Sequence, residues 1–157
     1  MAAKNSAGLL LFRRTGATVE VLLAHMGGPF WQRRDAGAWT LPKGEYEPDE
    51  APLAAAGREF AEELGVPVPV GDFLELGLVR QAAGKQVTAW ALEGDLHPAD
   101  VVPGVFEMEW PKGSGRISEF PEVDRVEWFA LADARGRLVA AQQEFLDRLG
   151  TLLDHGA

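Results

Sequence analysis

The sequence predicts an α/β protein of the α+β kind, in which a mixed β-sheet carries helices on its faces. Three observations support this fold class: two pairs of β-rich segments joined by short turns, one helix with clear ends between the pairs, and a helical pattern at the C-terminal end. Strands that come in hairpins, rather than alternating with helices, favour a mixed sheet over a regular βαβ repeat.

The individual elements follow from local composition. In chain order the predicted strands are 6–14, 18–26, 39–42, 73–81, 85–94, 105–110 and 123–130. Turns at 15–17 and 82–84 close the two hairpins, and the glycine- and proline-marked segment 27–38 is a loop. Residues 131–153 predict a short helix followed by a longer one. The apolar stripe of the longer helix, typical of core packing, comprises Val139, Phe145, Leu146, Leu149 and Leu153.

Length and composition limit the class of protein. A chain of 157 residues that is 46% hydrophobic fits one domain, which we expect to span residues 1–157. No apolar run reaches the roughly 18 residues of a membrane span, so no membrane partner is expected. Residues 1–8 do not resemble a signal peptide, which predicts a cytoplasmic location. The absence of cysteine excludes disulfides, thiolate metal sites and cysteine nucleophiles.

The net charge of -9 argues against binding of a nucleic-acid polymer, which needs a basic surface. The net charge does not exclude small phosphorylated ligands, because carboxylates that bind divalent cations present positive charge locally. Solubility is the simpler explanation of the charge. The sequence does not indicate an oligomeric state.

The helix predicted at 52–64 has recognisable ends. Pro52 suits the first helical position, where its missing N–H costs nothing, and Gly65 suits the left-handed position just past the end. Ala51 is a poor N-cap. A helix turns by about 100° per residue, and on this projection the large apolar residues fall on one side, which predicts a buried face. Its members are Leu53, Phe60 and Leu64, flanked by Ala56 and Gly57.

Three carboxylates, Glu59, Glu62 and Glu63, are expected on the opposite side of this helix as one acidic face. Repulsion between Glu59 and Glu63 costs a free helix only roughly 0.2–0.5 kcal/mol. Helical spacing alone leaves two interpretations open. One is a solvated face on which Arg58 pairs with Glu62, and the other is an oxygen-ligand site for a hard divalent cation.

The spacing of residues over the longer segment from Gly44 to Gly65 favours the cation site. The residues Gly44, Glu50, Arg58, Glu59, Glu62, Glu63 and Gly65 spell G-x5-E-x7-R-E-U-x-E-E-x-G-U, where U is bulky and apolar. This pattern resembles the Nudix box, the signature of the Nudix hydrolases; Phe60 stands where an aliphatic residue is more usual. The resemblance implies an α/β/α sandwich with a mixed β-sheet over most of the chain. It also implies hydrolysis of a pyrophosphate bond in a nucleoside diphosphate linked to another group, with Mg²⁺ or Mn²⁺.

The resemblance also implies roles for individual residues. Glu59, Glu62 and Glu63 would be metal ligands, with one of them or a loop carboxylate acting as the base. The supporting residues would be Glu50 as an auxiliary ligand, Arg58 orienting the carboxylates, and the Gly44 carbonyl as a further ligand.

Four residues outside the box are candidate substrate contacts. Lys43 in the Pro-Lys-Gly opening could bind phosphate, and Trp31 in the glycine-rich loop could stack on a base. Glu107 and Glu109 share one strand face, and either could be the additional carboxylate that family members often bring to the site; exposed strand residues are an equal alternative. The three histidines show no ligand spacing, and none is assigned to metal.

The substrate is not specified by subfamily marks. The proline typical of ADP-ribose hydrolases is missing from residues 72–97, and the tyrosine typical of dinucleoside polyphosphate hydrolases is missing there too. The Pro-Lys-Gly opening favours polyphosphate-rich substrates such as dinucleoside polyphosphates or nucleoside triphosphates. Two alternatives remain: a Nudix-fold sensor that binds a nucleotide without catalysis, and a structural domain with an acidic helix.

Overall fold

The computed structural model describes residues 4–155, which form nine strands and three α-helices. The strands are β1 (Asn5–Thr15), β2 (Thr18–Met26), β3 (Trp39–Thr40), β4 (Lys43–Glu45), β5 (Phe73–Arg80), β6 (Gln86–Glu93), β7 (Val105–Glu109), β8 (Ile117–Pro121) and β9 (Val123–Ala130). The helices are α1 (Pro52–Leu64), α2 (Leu131–Arg137) and α3 (Gln143–His155). None of the described helices is long and apolar enough to cross a membrane.

Seven of the strands form one mixed sheet, as predicted. Five follow the order β3-β2-β1-β6-β5, while β4 also pairs with β1 and β9 also pairs with β2. β1 and β6 run parallel, and the other pairs are antiparallel. β7 and β8 pair with each other as a separate two-stranded sheet. The long connection between β2 and β6, which includes α1, allows the one parallel pairing.

Helices cover both faces of the large sheet, which confirms the α/β/α layering. Successive residues of a strand point to opposite faces, and β1 is buried on both. Leu9 and Leu11 belong to the core under α1, whereas Leu10 and Phe12 belong to the core that includes residues of α3. Because β1 lies at the centre, the sequence reads there as a continuous apolar run.

The predicted strands and helices are present, although the strand predicted at 39–42 comprises only Trp39–Thr40. Two strands and one helix boundary were not anticipated. β4 has only three residues and forms because it pairs with Ser6–Gly8 of β1. β8 forms by pairing along the whole of β7. Val139 is not in the last helix, since its N–H donates to the Trp39 carbonyl at 2.9 Å and a 3₁₀ turn separates it from α3.

Candidate active site

Helix α1 presents the box residues and ends where the sequence predicts. Pro52 occupies its first turn, and Ala51 makes no side-chain cap. Gly65 adopts φ 66° and its N–H donates to the Ala61 carbonyl at 2.8 Å, so a left-handed residue terminates the helix. The box therefore consists of a strand, a loop and a helix of fixed length.

The buried face of α1 is wider than predicted. Ala55 is fully buried together with Ala56, Phe60 and Leu64, whereas Leu53 is only half-buried. The centre of this face is therefore rotated towards the carboxylates, and the helix lies against the sheet at an angle that the spacing of large residues alone did not indicate.

The prediction that all three carboxylates lie opposite the buried face is consequently wrong. The Glu62 side chain is 60% exposed, but that of Glu59 is only 15% exposed. Glu63 turns towards β4, where its Oε2 accepts a hydrogen bond from the Lys43 backbone N–H at 3.2 Å. Two of the three carboxylates thus face inward, and the third faces solvent.

Gly44 in β4 makes room for Glu59. A Cβ atom added at Gly44 would lie 2.0 Å from Glu59 Oε2 and 2.1 Å from its Cδ. Any side chain at this position would therefore displace the carboxylate. This contact explains why the box begins with glycine: the backbone of β4 lies directly against the carboxylate that α1 projects.

Arg58 joins the carboxylates at the outer side of the site. Its Nε and Nη2 donate to the two Glu50 oxygens, each at 2.8 Å, in a bidentate pair. Its Nη1 donates to Glu59 at 2.8 Å and to Glu62 at 3.2 Å. The bond to Glu50 raises the pKa of Arg58, and the same bond lowers the pKa of Glu50. One guanidinium therefore holds three box carboxylates.

The inner carboxylates are in an unfavourable electrostatic environment. Burial raises the pKa of Glu63 to about 8, and the charges of Glu122 and Glu59 add to the shift while Lys43 opposes it. Burial likewise raises the pKa of Glu59. Desolvation lowers the pKa of the partly buried Lys43. For these groups the loss of solvation outweighs the attraction between opposite charges.

Glu122 is a site carboxylate that sequence reasoning missed. It lies between β8 and β9, and its charge acts on both Glu59 and Glu63. Its carbonyl accepts from Gly27 N–H at 2.9 Å, a contact set by the pairing of β2 with β9. No spacing in the sequence links Glu122 to the box, because strand pairing alone brings the two segments together.

Glu107 and Glu109 lie elsewhere. Glu107 is exposed and opposite Glu119 in the two-stranded sheet, and Glu109 accepts from Gly113 N–H at 2.6 Å within its own hairpin. The structure thus places Glu122, rather than either of these, beside the box carboxylates. A role for Glu107 or Glu109 in substrate binding stays a prediction.

Trp31 and the histidines also have defined environments. Trp31 is half-buried against the α3-side core and meets Phe30 edge-on at 5.3 Å between ring centroids. His25 is fully buried, with Nδ1 2.8 Å from Asp124 and Nε2 2.6 Å from the Arg34 carbonyl. His25 therefore ties the loop after β2 to β9, a contact that the sequence did not suggest.

The donor atoms of the site fit a hard divalent cation in their chemistry. Among residues 4–155 no three carboxylates or imidazoles already stand in metal-ligating geometry. The candidate oxygen donors are Glu59, Glu62, Glu63, Glu122 and the Gly44 carbonyl. Oxygen donors of this kind suit Mg²⁺ and Mn²⁺. Burial is the main cause of the raised pKa of Glu63, and the charges of Glu122 and Glu59 add to it; a bound cation would favour the ionised carboxylate.

Comparison with known proteins places this geometry in a family. Residues 3–149 match the family described as NUDIX domain. The chain therefore belongs to the NUDIX domain family, as the box resemblance predicts, and its class is that of the Nudix pyrophosphohydrolases. No curated protein matches the sequence at the significance required.

Solved structures agree on the fold. A C. elegans Ap4A hydrolase binary complex is 24% identical, with a TM-score of 0.69 over 98% of this chain and 99% of that chain. The NUDIX domain of Shewanella oneidensis NrtR, complexed with ADP ribose, is 20% identical, with a TM-score of 0.64 over 98% of this chain and 90% of that one. A MutT protein from Methanosarcina mazei Go1 is 26% identical, with a TM-score of 0.61 over 95% and 94%.

Proposed function

We propose that this protein uses Mg²⁺ or Mn²⁺ to hydrolyse a pyrophosphate bond in a nucleoside diphosphate linked to another group, with dinucleoside polyphosphates or nucleoside triphosphates as substrates. One observation carries the proposal. Glu59 and Glu63 lie against β4, and the charge of Glu122 acts on both; burial, together with these like charges, raises the pKa of Glu63 to about 8. Such crowding weakens a structural explanation of the acidic helix, because a purely structural face would leave its carboxylates solvated.

The reaction is the attack of water on a phosphoanhydride. A bond forms between the water oxygen and one phosphorus, the bridging P–O bond breaks, and the bridging oxygen leaves with its electron pair. A divalent cation held by the box carboxylates would offset the phosphate charge and lower the pKa of a water. The proton of the attacking water passes to a carboxylate, and we add Glu122 to Glu59, Glu62 and Glu63 as candidates for this base.

The remaining box residues would position the ligands and the substrate. Arg58 holds Glu59 and Glu62 while the bidentate pair with Glu50 fixes its own orientation. The Lys43 ammonium would contact a phosphate oxygen, because desolvation lowers its pKa and an incoming anion would offset that cost. The Gly44 carbonyl would add a neutral oxygen donor to the charged ones.

The preference for polyphosphate-rich substrates rests on two supports. The chain has the Pro-Lys-Gly opening before the box, and it shares its fold with the C. elegans Ap4A hydrolase. The NrtR domain complexed with ADP ribose makes ADP-ribose a necessary comparison compound. It also keeps a nucleotide sensor as the alternative.

The test is a substrate panel of dinucleoside polyphosphates, nucleoside triphosphates and ADP-ribose, with Mg²⁺ or Mn²⁺ and detection of phosphate products. Glu62→Gln and Glu63→Gln should each lower hydrolytic activity by about 100-fold or more. Loss of a residue that only supports a metal ligand costs about 10- to 100-fold, so loss of a ligand itself should reach or exceed the top of that range. Glu127→Gln, an exposed site on β9, is the matched control and should retain activity. Absence of turnover, or wild-type rates in both box variants, would refute the proposal. A nucleotide that raises Tm without turnover would instead support the sensor.

A further inference from the structure

We propose that the hairpin formed by β7 and β8 is a stacking platform for an aromatic base of the substrate. This inference rests on the proposed function, since it assigns the part of a nucleotide substrate that lies beyond the phosphates. The hairpin face concerned comprises Phe106, Met108, Ser118 and Phe120, and we call it the inner face.

The inner face carries three apolar side chains that contribute to neither hydrophobic core. Within the described residues, Phe106, Met108 and Phe120 belong neither to the two core clusters nor to the partly buried residues packed on them. All three are only half-buried. The Phe106 and Phe120 rings are paired across the strands, with centroids 6.1 Å apart. Aromatic side chains that a fold does not need for its core are available to bind a ligand.

The hairpin is anchored at the acidic site. Its two ends are joined by a hydrogen bond from Glu122 N–H to the Gly104 carbonyl at 2.9 Å. Glu122 is also the carboxylate whose charge reaches Glu59 and Glu63. A substrate whose phosphates lie at the carboxylates can therefore reach the end of the hairpin where β7 begins and β8 ends.

A second aromatic segment, in the loop after β2, contacts the inner face through Gly28. The Phe106 ring lies over Gly28, where an added Cβ would meet Cζ at 3.1 Å. Two residues further on, Phe30 is 57% exposed, and the Arg34 guanidinium lies 4.3 Å from its ring centroid. The loop and the hairpin thus meet next to Glu122 and carry half-exposed rings on both sides of the junction.

The distribution of charge on the hairpin favours the inner face over the outer one as the nucleotide-binding surface. Glu107, Glu109 and Glu119 share the outer face of the hairpin, whereas the inner face bears no acidic residue. A polyphosphate chain would be repelled by the outer face, so a bound nucleotide approaches from the inner side. A flat base suits this surface because stacking on aromatic rings depends little on which base is present.

The test measures binding of AMP as the probe for the base, and of inorganic pyrophosphate with Mg²⁺ as the probe without one. Phe106→Ala and Phe120→Ala should weaken AMP binding and raise KM by about 5- to 100-fold, the range expected for loss of one stacked base. Pyrophosphate binding and kcat should change little. Ile117→Ala, on the outer face of the same hairpin, is the matched control and should leave all four quantities unchanged.

Tm measurements on each variant, and a Phe120→Leu variant that keeps apolar volume without a stacking face, separate stacking from folding. The inference is overturned if AMP binds the Phe106 and Phe120 variants as it binds wild type, or if Ile117→Ala loses as much affinity as they do. It is also overturned if AMP and pyrophosphate weaken in parallel. Wild-type hydrolysis in the panel would persist in each of these cases, so failure of this inference is distinguishable from failure of the proposed function.

Discussion

Replacing Gln142 by leucine should destabilise the protein by removing the hydrogen bonds that hold the segment before the box. Gln142 is fully buried in the 3₁₀ turn ahead of α3. Its Oε1 accepts from the Leu41 backbone N–H at 3.0 Å, and its Nε2 donates to Thr40 Oγ1 and to Gln81 Oε1, each at 2.9 Å. The Gln142 amide thus provides the hydrogen-bond partner of the backbone N–H two residues before Lys43.

The magnitude follows from which groups lose their partners. Leu41 N–H is buried and would be left unpaired, at a cost of about 1–3 kcal/mol. The Thr40 hydroxyl keeps its contact with the Leu41 carbonyl at 2.8 Å, so its loss is smaller. For a chain of this size 1 kcal/mol corresponds to about 2–4 °C, and Tm should therefore fall by about 2–12 °C.

The assay is thermal unfolding of the metal-free protein, together with amide hydrogen exchange at Leu41. Exchange should accelerate in Gln142→Leu because the N–H loses its acceptor. Gln143→Leu makes the same chemical change at a half-buried neighbour and should stay within about 0.5 kcal/mol of wild type. Equal Tm and equal exchange in wild type and Gln142→Leu would refute the assigned role of this side chain.

Three further predictions concern the box. Between pH 4.5 and about 8 native Glu63 retains a proton that the unfolded chain has lost, so metal-free stability should fall as pH rises through this window; Glu63→Gln should flatten the fall in denaturant titrations. Arg58→Ala removes the partner of Glu50 and should lower Mn²⁺ affinity about 10- to 100-fold, while Tm changes little because the ion pairs are exposed. Calorimetry that finds unchanged Mn²⁺ affinity would contradict this prediction. Gly44→Ala should displace Glu59 and raise the Mn²⁺ concentration for half-activation by about 10-fold or more, measured against an unchanged far-UV spectrum.

The sequence predicted the scaffold of the site because local signals determine it. Pro52 and Gly65 fixed both ends of α1, and glycine-bearing turns fixed the two hairpins. β4 escaped prediction because Lys, Gly and Glu have no strand preference, and pairing with β1 forms it. β8 contains the strand formers Ile117 and Phe120, but it is short and ends at a proline, and pairing with β7 forms it. The family was recognisable from spacing within 23 residues, since the box is continuous in the chain.

The orientation of the carboxylates could not be predicted in the same way. A helical projection that uses only large apolar residues places Glu59 and Glu63 opposite the core. Ala55 and Ala56 are small, yet their full burial shows that α1 approaches the sheet closely on that side. Only the packed structure reveals that this approach carries Glu63 to the Lys43 N–H.

The same packing explains why an acidic helix is compatible with a stable fold. The repulsion between carboxylates on an exposed helix is small, so the principal cost lies in the burial of Glu63, whose pKa rises to about 8. Arg58 offsets charge on the exposed side, whereas on the inner side Lys43 opposes the rise in the pKa of Glu63 without preventing it, because the burial of Glu63 is the larger effect. Below about pH 8 the metal-free site therefore keeps Glu63 protonated, and the charges of Glu122 and Glu59 oppose its ionisation. A divalent cation bound there would displace the Glu63 proton, and the resulting ion pair would be partly desolvated, where opposite charges attract more strongly than on a solvated face.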